Sequence, residues 1–175
     1  MNYKEIISSI SNKDFHPVYF LMGEETFYID KISDYISDNV LESQEKEFNQ
    51  SVLYGKEVDV AQIIAEAKQF PFSATHRVVI VKEAQNIKNI DQLESYLDNP
   101  QPSTILVICY KYKKLDKRKK FTKSLAKKAL LFESKKLYDN QVPDWIAKYL
   151  SEKRYKIEEK AACMLAEFLG TELSN

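Results

Sequence analysis

The stretch VYFLMGEETFYID, Val18–Asp30, carries the first decision about this chain. Five apolar residues run into a glycine, and the periodicity then changes to that of a helix. Strand, glycine turn and helix in that order are the frame of a phosphate-binding loop, which reads G-x-x-x-x-G-K-[ST]. Gly23 keeps the first position. Tyr28 stands where the second glycine belongs, Ile29 where the lysine belongs, and Asp30 where the magnesium-binding hydroxyl belongs. Glu24 and Glu25 add negative charge where phosphate would sit, and like charges in a partly dry site repel. The stretch therefore predicts the shape of a nucleotide fold with a degenerate phosphate loop.

Working outward, apolar runs alternate with helical patterns. Asn2 to Ser11 predicts a short helix with Ile6, Ile7 and Ile10 on one face, and Glu24 to Leu41 a longer one. Phe48 to Gly55 reads as a strand ending in a turn. Asp59 is the expected N-cap of DVAQIIAEAKQ. VVIV (Val78 to Val81), TILVICY (Thr104 to Tyr110) and ALLFE (Ala129 to Glu133) read as buried strands, with a short helix at Asp91 to Leu97 and a lysine-rich helix between the last two strands. Continuous apolar strands alternating with helices predict an α/β fold, a parallel sheet covered on both faces. Beyond Tyr138 the pattern becomes all-helical. Pro143 suits the first turn of one helix, and Gly170 the C-terminal stop of another.

The acidic motif that would hold magnesium is also missing. VVIV is followed by Lys82-Glu83-Ala84-Gln85, with one acid, and ILVICY by Lys111-Tyr-Lys-Lys, with none. The two histidines, His16 and His76, lie far apart and read as loop or surface residues. Cys109 and Cys163 read as small core residues without zinc or disulfide spacing. Three glycines in 175 residues speak against glycine-rich cofactor loops. No metal and no cofactor is expected. Lys plus Arg equals Asp plus Glu at 26 each, so any electrostatic function must come from local patches. Reduced thiols, with no apolar stretch near the ~20 residues that span a bilayer, fit a cytoplasmic protein that does not enter the membrane.

Two features stand out. Phe70-Pro71-Phe72 places two aromatics around a helix-stopping proline. They fit either a hydrophobic plug beneath the sheet or an exposed wedge for a partner pocket. Lys111 to Lys128, KYKKLDKRKKFTKSLAKK, has Asp116 as its only acid. It fits either a solvated amphipathic helix with Leu115, Phe121 and Leu125 inward, or a contact to a phosphate backbone through Lys117, Arg118, Lys119 and Lys120.

Four segments together resemble the delta subunit family of the bacterial DNA polymerase III clamp loader. They are VYFLMGEETFYIDKI, FPFSATHRVVIVKEAQ, KKLDKRKKFTKSL and VPDWIAKYLSEKRYKIEEKAACMLAEFLGTELS. The resemblance implies an AAA+-like domain over 1–138 that binds no nucleotide, and the start of a helical lid domain over 139–175. A collar domain would lie beyond this chain, in a protein about twice as long. It implies no catalysis by the chain itself, which would be a component of the DNA polymerase III holoenzyme. The implied partners are the sliding clamp (the beta subunit), other clamp-loader subunits and, as a further candidate, DNA. It also implies that Phe70, Pro71 and Phe72 enter a clamp pocket, with Phe72 first and Phe70 second, and that the opened ring is favoured during replication. The competing readings are a divergent P-loop NTPase and a DNA-binding module using residues 111–128.

Overall fold

The structure is a computed structural model that describes residues 1–174. It divides into two compact units, Met1–Ser134 and Lys135–Asn175.

In the first unit the opening stretch forms β1, Val18–Gly23, with every residue buried. Its side chains alternate between two cores. Val18, Phe20 and Met22 face one, and Tyr19 and Leu21 the other. Burial on both faces explains why the sequence is a continuous apolar run and not an alternating one. The other strands are β2 (Gln50–Tyr54), β3 (Arg77–Lys82), β4 (Thr104–Lys111) and β5 (Leu130–Ser134). The five pair in parallel in the order β2-β3-β4-β1-β5. The α/β class and the parallel sheet are as the alternation of elements predicts.

Helices cover both faces. On one, α1 (Tyr3–Ser11) and α2 (Thr26–Asn39) bury Ile6, Ile10, Ile29, Ile32 and Ile36. On the other, α4 (Val60–Ala67), α5 (Glu94–Asp98) and α6 (Lys120–Lys128) bury Val60, Ile63, Ala67, Tyr96, Leu97, Phe121 and Leu125. Asp59 caps α4 in a reciprocal capping box with Gln62, as its place in the sequence suggested. Each such cap stabilises its helix by ~1 kcal/mol.

Three expectations need correction. Phe48 does not begin a strand. It belongs to α3, Ser43–Asn49, a short helix whose residues SQEKEFN are too polar to show a periodicity. The basic run is not one helix. Lys111 ends β4, Tyr112 takes a left-handed φ of 61°, and α6 starts only at Lys120. Asp116 organises the turn between them, accepting the Arg118 N–H on its carboxylate and the Thr122 hydroxyl on its carbonyl. Cys163 is exposed, whereas Cys109 is buried.

The second unit contains α7 (Val142–Glu152) and α8 (Glu159–Leu169). Pro143 lies in the first turn of α7, and Gly170 stops α8 at φ 69°. Val142, Ile146 and Ala162 form its small core, with Ala166 packed against it. Because α8 meets α7 through these alanines, Cys163, turned ~100° around the helix, falls off the packed face. Among the described residues no helix is long and apolar enough to cross a membrane.

Candidate functional site

The residues singled out in the sequence fall at two places on the first unit, at opposite ends of the sheet. The degenerate phosphate loop lies beyond the carboxyl ends of β1, β4 and β5, where open parallel sheets bind ligands. The Phe70–Phe72 loop precedes β3, at the amino ends.

At the carboxyl ends, Gly23 adopts φ +140°, and a Cβ there would lie 1.9 Å from the Ser134 carbonyl oxygen. Close passage of β5 requires the glycine, with no phosphate needed to explain it. The Glu24 N–H donates to the same oxygen at 3.1 Å. Glu25 precedes α2 as its N-cap, and its carboxylate accepts the Phe27 N–H at 2.9 Å. It is only 4% exposed. A helix N-terminus attracts an anion; here the chain supplies its own. Tyr28 packs its ring against Tyr3, centroids 4.9 Å apart, and Ile29 is buried in the core.

Asp30 receives the Lys111 ammonium at 2.6 and 2.8 Å. Lys114 lies 3.3 Å from Glu24 and 3.8 Å from Glu133, and Lys117 lies 2.8 Å from Glu133. The acidic loop and the basic run, unrelated in the sequence, are thus electrostatic partners. Of the four residues considered for DNA, Lys117 pairs with Glu133, Arg118 with Asp116 at 2.9 Å, and Lys120 with Glu94 at 3.3 Å. Lys119 precedes α6, and all four are exposed. Exposed pairs of this kind contribute little to stability.

At the amino ends, Phe70 is 79% and Phe72 66% exposed, so neither ring plugs the sheet. Phe72 leans on Phe48, itself 58% exposed, with centroids 5.7 Å apart. The loop is tied down from beneath. Asn49, fully buried, accepts the Phe72 N–H at 2.6 Å and donates to the Phe72 carbonyl at 2.9 Å. The buried Arg77 guanidinium donates to the Phe48 carbonyl at 3.1 Å and pairs with Glu66. The Ser51 hydroxyl donates to Glu66 at 2.6 Å. Burial alone would raise the Glu66 pKa. The hydrogen bonds from Ser51 and Arg77, with the Arg77 charge, outweigh it and hold the carboxyl below its ordinary value.

In the sequence Phe48 reads as the start of a strand, and Asn49 and Arg77 do not stand out. Asn49 and Arg77 did leave a trace, since Arg77 is a polar residue opening β3 and Asn49 a polar residue just before β2. His16 and His76 are half-buried loop residues at separate places: His16 sits edge-on to Tyr19 and His76 edge-on to Phe15. Among the described residues no cluster of His, Cys, Asp and Glu could hold a metal ion.

Comparison with known proteins gives the family and the fold of the chain. A family model described as DNA polymerase III, delta subunit, matches residues 19–135. The DNA polymerase III subunit delta of Bacillus subtilis is 34% identical over 181 aligned positions, covering 98% of this chain and 52% of that protein. The solved structure of the Bacillus subtilis DNA clamp loader delta protein superposes with a TM-score of 0.79 at 32% identity, covering 99% of this chain and 54% of that one. A RuvB mutant from Thermotoga maritima, 16% identical, gives 0.49 over 92% of this chain and 52% of its own. The chain thus spans about half the length of the delta proteins it matches. It belongs to the DNA polymerase III delta subunit family.

Proposed function

We propose that this chain is the clamp-contacting part of a clamp-loader delta subunit, and that its work is binding and not catalysis. Phe72 first and Phe70 second enter a hydrophobic pocket on the sliding clamp, with Pro71 stiffening the loop between them. Helix α4, which leads into the loop, presses on the ring interface. The opened ring is favoured only to the extent that the chain binds it more tightly than the closed one. Residues 1–138 act as the AAA+-like clamp-binding domain, and 139–175 begin the lid domain. Loading onto primed DNA needs the other subunits of the loader, which act with this one in the cytoplasm.

The observation that carries this reading is the pair of exposed phenyl rings on a loop whose backbone is held by a buried carboxamide. Rigid, exposed aromatics are the residue type that dominates protein interfaces. The absence of phosphoryl chemistry is supported by the self-capped α2 and by the Asp30–Lys111 pair, which fill the place of phosphate and magnesium with the chain's own charges. Titration of the chain into its cognate sliding clamp tests the proposal. Saturable binding supports it, and a folded chain that gives neither heat nor co-elution overturns it. The exposed cations Lys117 to Lys120 are a subsidiary proposal for a DNA contact. That contact should weaken steeply with salt and need no clamp.

A further inference from the structure

The hydrogen bonds beneath the aromatic loop support an inference that rests on the clamp reading and deepens it. Phe72 lies outside the regular elements, in the connection from α4 to β3. Both of its backbone polar groups nevertheless find one partner, the side chain of Asn49, 23 residues earlier. The match is chemically specific. A carboxamide offers an acceptor and a donor side by side, the complement of the N–H and C=O of a single residue. The same Asn49 amide group also donates to the Glu45 carbonyl at 3.0 Å, in its own helix. Three of its hydrogen-bonding positions are therefore used at a fully buried site, where an unmet polar group would be costly. Arg77 fixes the adjacent Phe48 carbonyl, so the residue before Asn49 is held as well. Immediately after Phe72, Ser73 turns the chain away with φ 52°.

We propose that Asn49 is the positioning residue of the Phe70–Phe72 contact, holding the Phe72 backbone so that the loop meets the clamp already ordered. Asn49 touches no partner itself; its effect is to remove the ordering cost that a loose loop would incur on binding. Phe48, against which the Phe72 ring rests, completes the presented surface.

The test pairs hydrogen exchange on the unbound chain with clamp titration, for native protein and Asn49→Ala. In the native chain the Phe72 amide is protected. In Asn49→Ala it exchanges at least about tenfold faster while the β3 amides of Val79 and Val81 keep their native protection, and clamp affinity falls about tenfold, chiefly through less favourable entropy. Asn49→Gln keeps the carboxamide on a stem one methylene longer, without burying a charge against the Phe72 and Glu45 carbonyls, and it falls between the two. It carries the test alone if the alanine variant does not fold. An unprotected Phe72 amide in the native chain overturns the proposal. So does an equal loss of protection at Val79 and Val81, which would make Asn49 merely structural. A native chain that binds clamp, with an Asn49→Ala affinity unchanged, overturns this role alone. A native chain that binds no clamp overturns the clamp reading and this role with it.

Discussion

Replacing Gly23 by alanine separates two explanations for the glycine that opens the phosphate-loop-like turn. If it survives because phosphate once passed there, alanine should be tolerated in a chain that binds none. If β5 requires it, alanine should be expensive. The new Cβ would sit 1.9 Å from the Ser134 carbonyl oxygen and 2.7 Å from its carbon, at φ +140°. These are backbone atoms, so no side chain can swing away. Relief requires β5 to move off β1, which weakens the Gly23–Ser134 end of the pairing and the 3.1 Å bond from the Glu24 N–H. Overpacking of this kind costs about 1–3 kcal/mol and a non-glycine residue in that backbone region about as much again. The sum, about 2–6 kcal/mol, corresponds to a fall in Tm of roughly 6–24 °C for a domain of this size. Thermal unfolding followed by circular dichroism measures it. A Gly23→Ala protein melting within about 3 °C of the native chain would refute the claim that close passage of β5 keeps the glycine.

Other expectations follow from the same geometry. Millimolar MgATP should leave the Tm of the native chain unchanged, and Glu25→Ala should cost about 1 kcal/mol of stability through loss of the α2 cap and so lower the Tm; a clear rise in native Tm with MgATP would argue for a working nucleotide site. Glu66 is held below its ordinary pKa in the folded chain, so its contribution is complete above the unfolded carboxylate value and is lost as pH falls through the lowered one. Acid unfolding of Glu66→Gln should lack that part of the pH dependence, and superimposable native and variant profiles would contradict it. Burial pushes the Cys109 thiol up to about 11, whereas Cys163 is exposed. A thiol reagent at neutral pH should therefore label one cysteine quickly and the other only on unfolding. Two fast thiols would show that Cys109 is not enclosed.

The parts of the fold that were legible in the sequence are those written in local periodicity. β1, β3 and β4 are continuous apolar runs because both of their faces are buried, the edge strand β5 alternates buried with half-buried residues behind its apolar start, and α4 announces itself by Asp59. The helix α3 was not legible, because Phe48 is its only apolar residue and points outward. The substitutions at Tyr28, Ile29 and Asp30 could be read as a lost phosphate loop, but not what replaced it. Asp30 and Lys111 are 81 residues apart, and nothing local links them until β1 and β4 lie side by side. The basic run suggested a helix because lysine favours one. Its first half is instead drawn across the strand ends by Glu24, Asp30 and Glu133. At the aromatic loop the rings were legible but their support was not, since Asn49 reaches Phe72 only after β2 and β3 pair.

Clamp binding through the two phenyl rings is tested by a paired calorimetric titration into the sliding clamp, with the native chain and with Phe70→Ala/Phe72→Ala. Both rings are largely exposed, so the double variant should fold with a Tm close to native. Two aromatic anchors removed from a binding pocket cost about 3–5 kcal/mol, a loss of a hundredfold or more in affinity. The native chain should bind tightly and the variant almost not at all. A folded variant that bound the clamp as well as the native chain would contradict binding through the rings, and would place the contact elsewhere on the molecule.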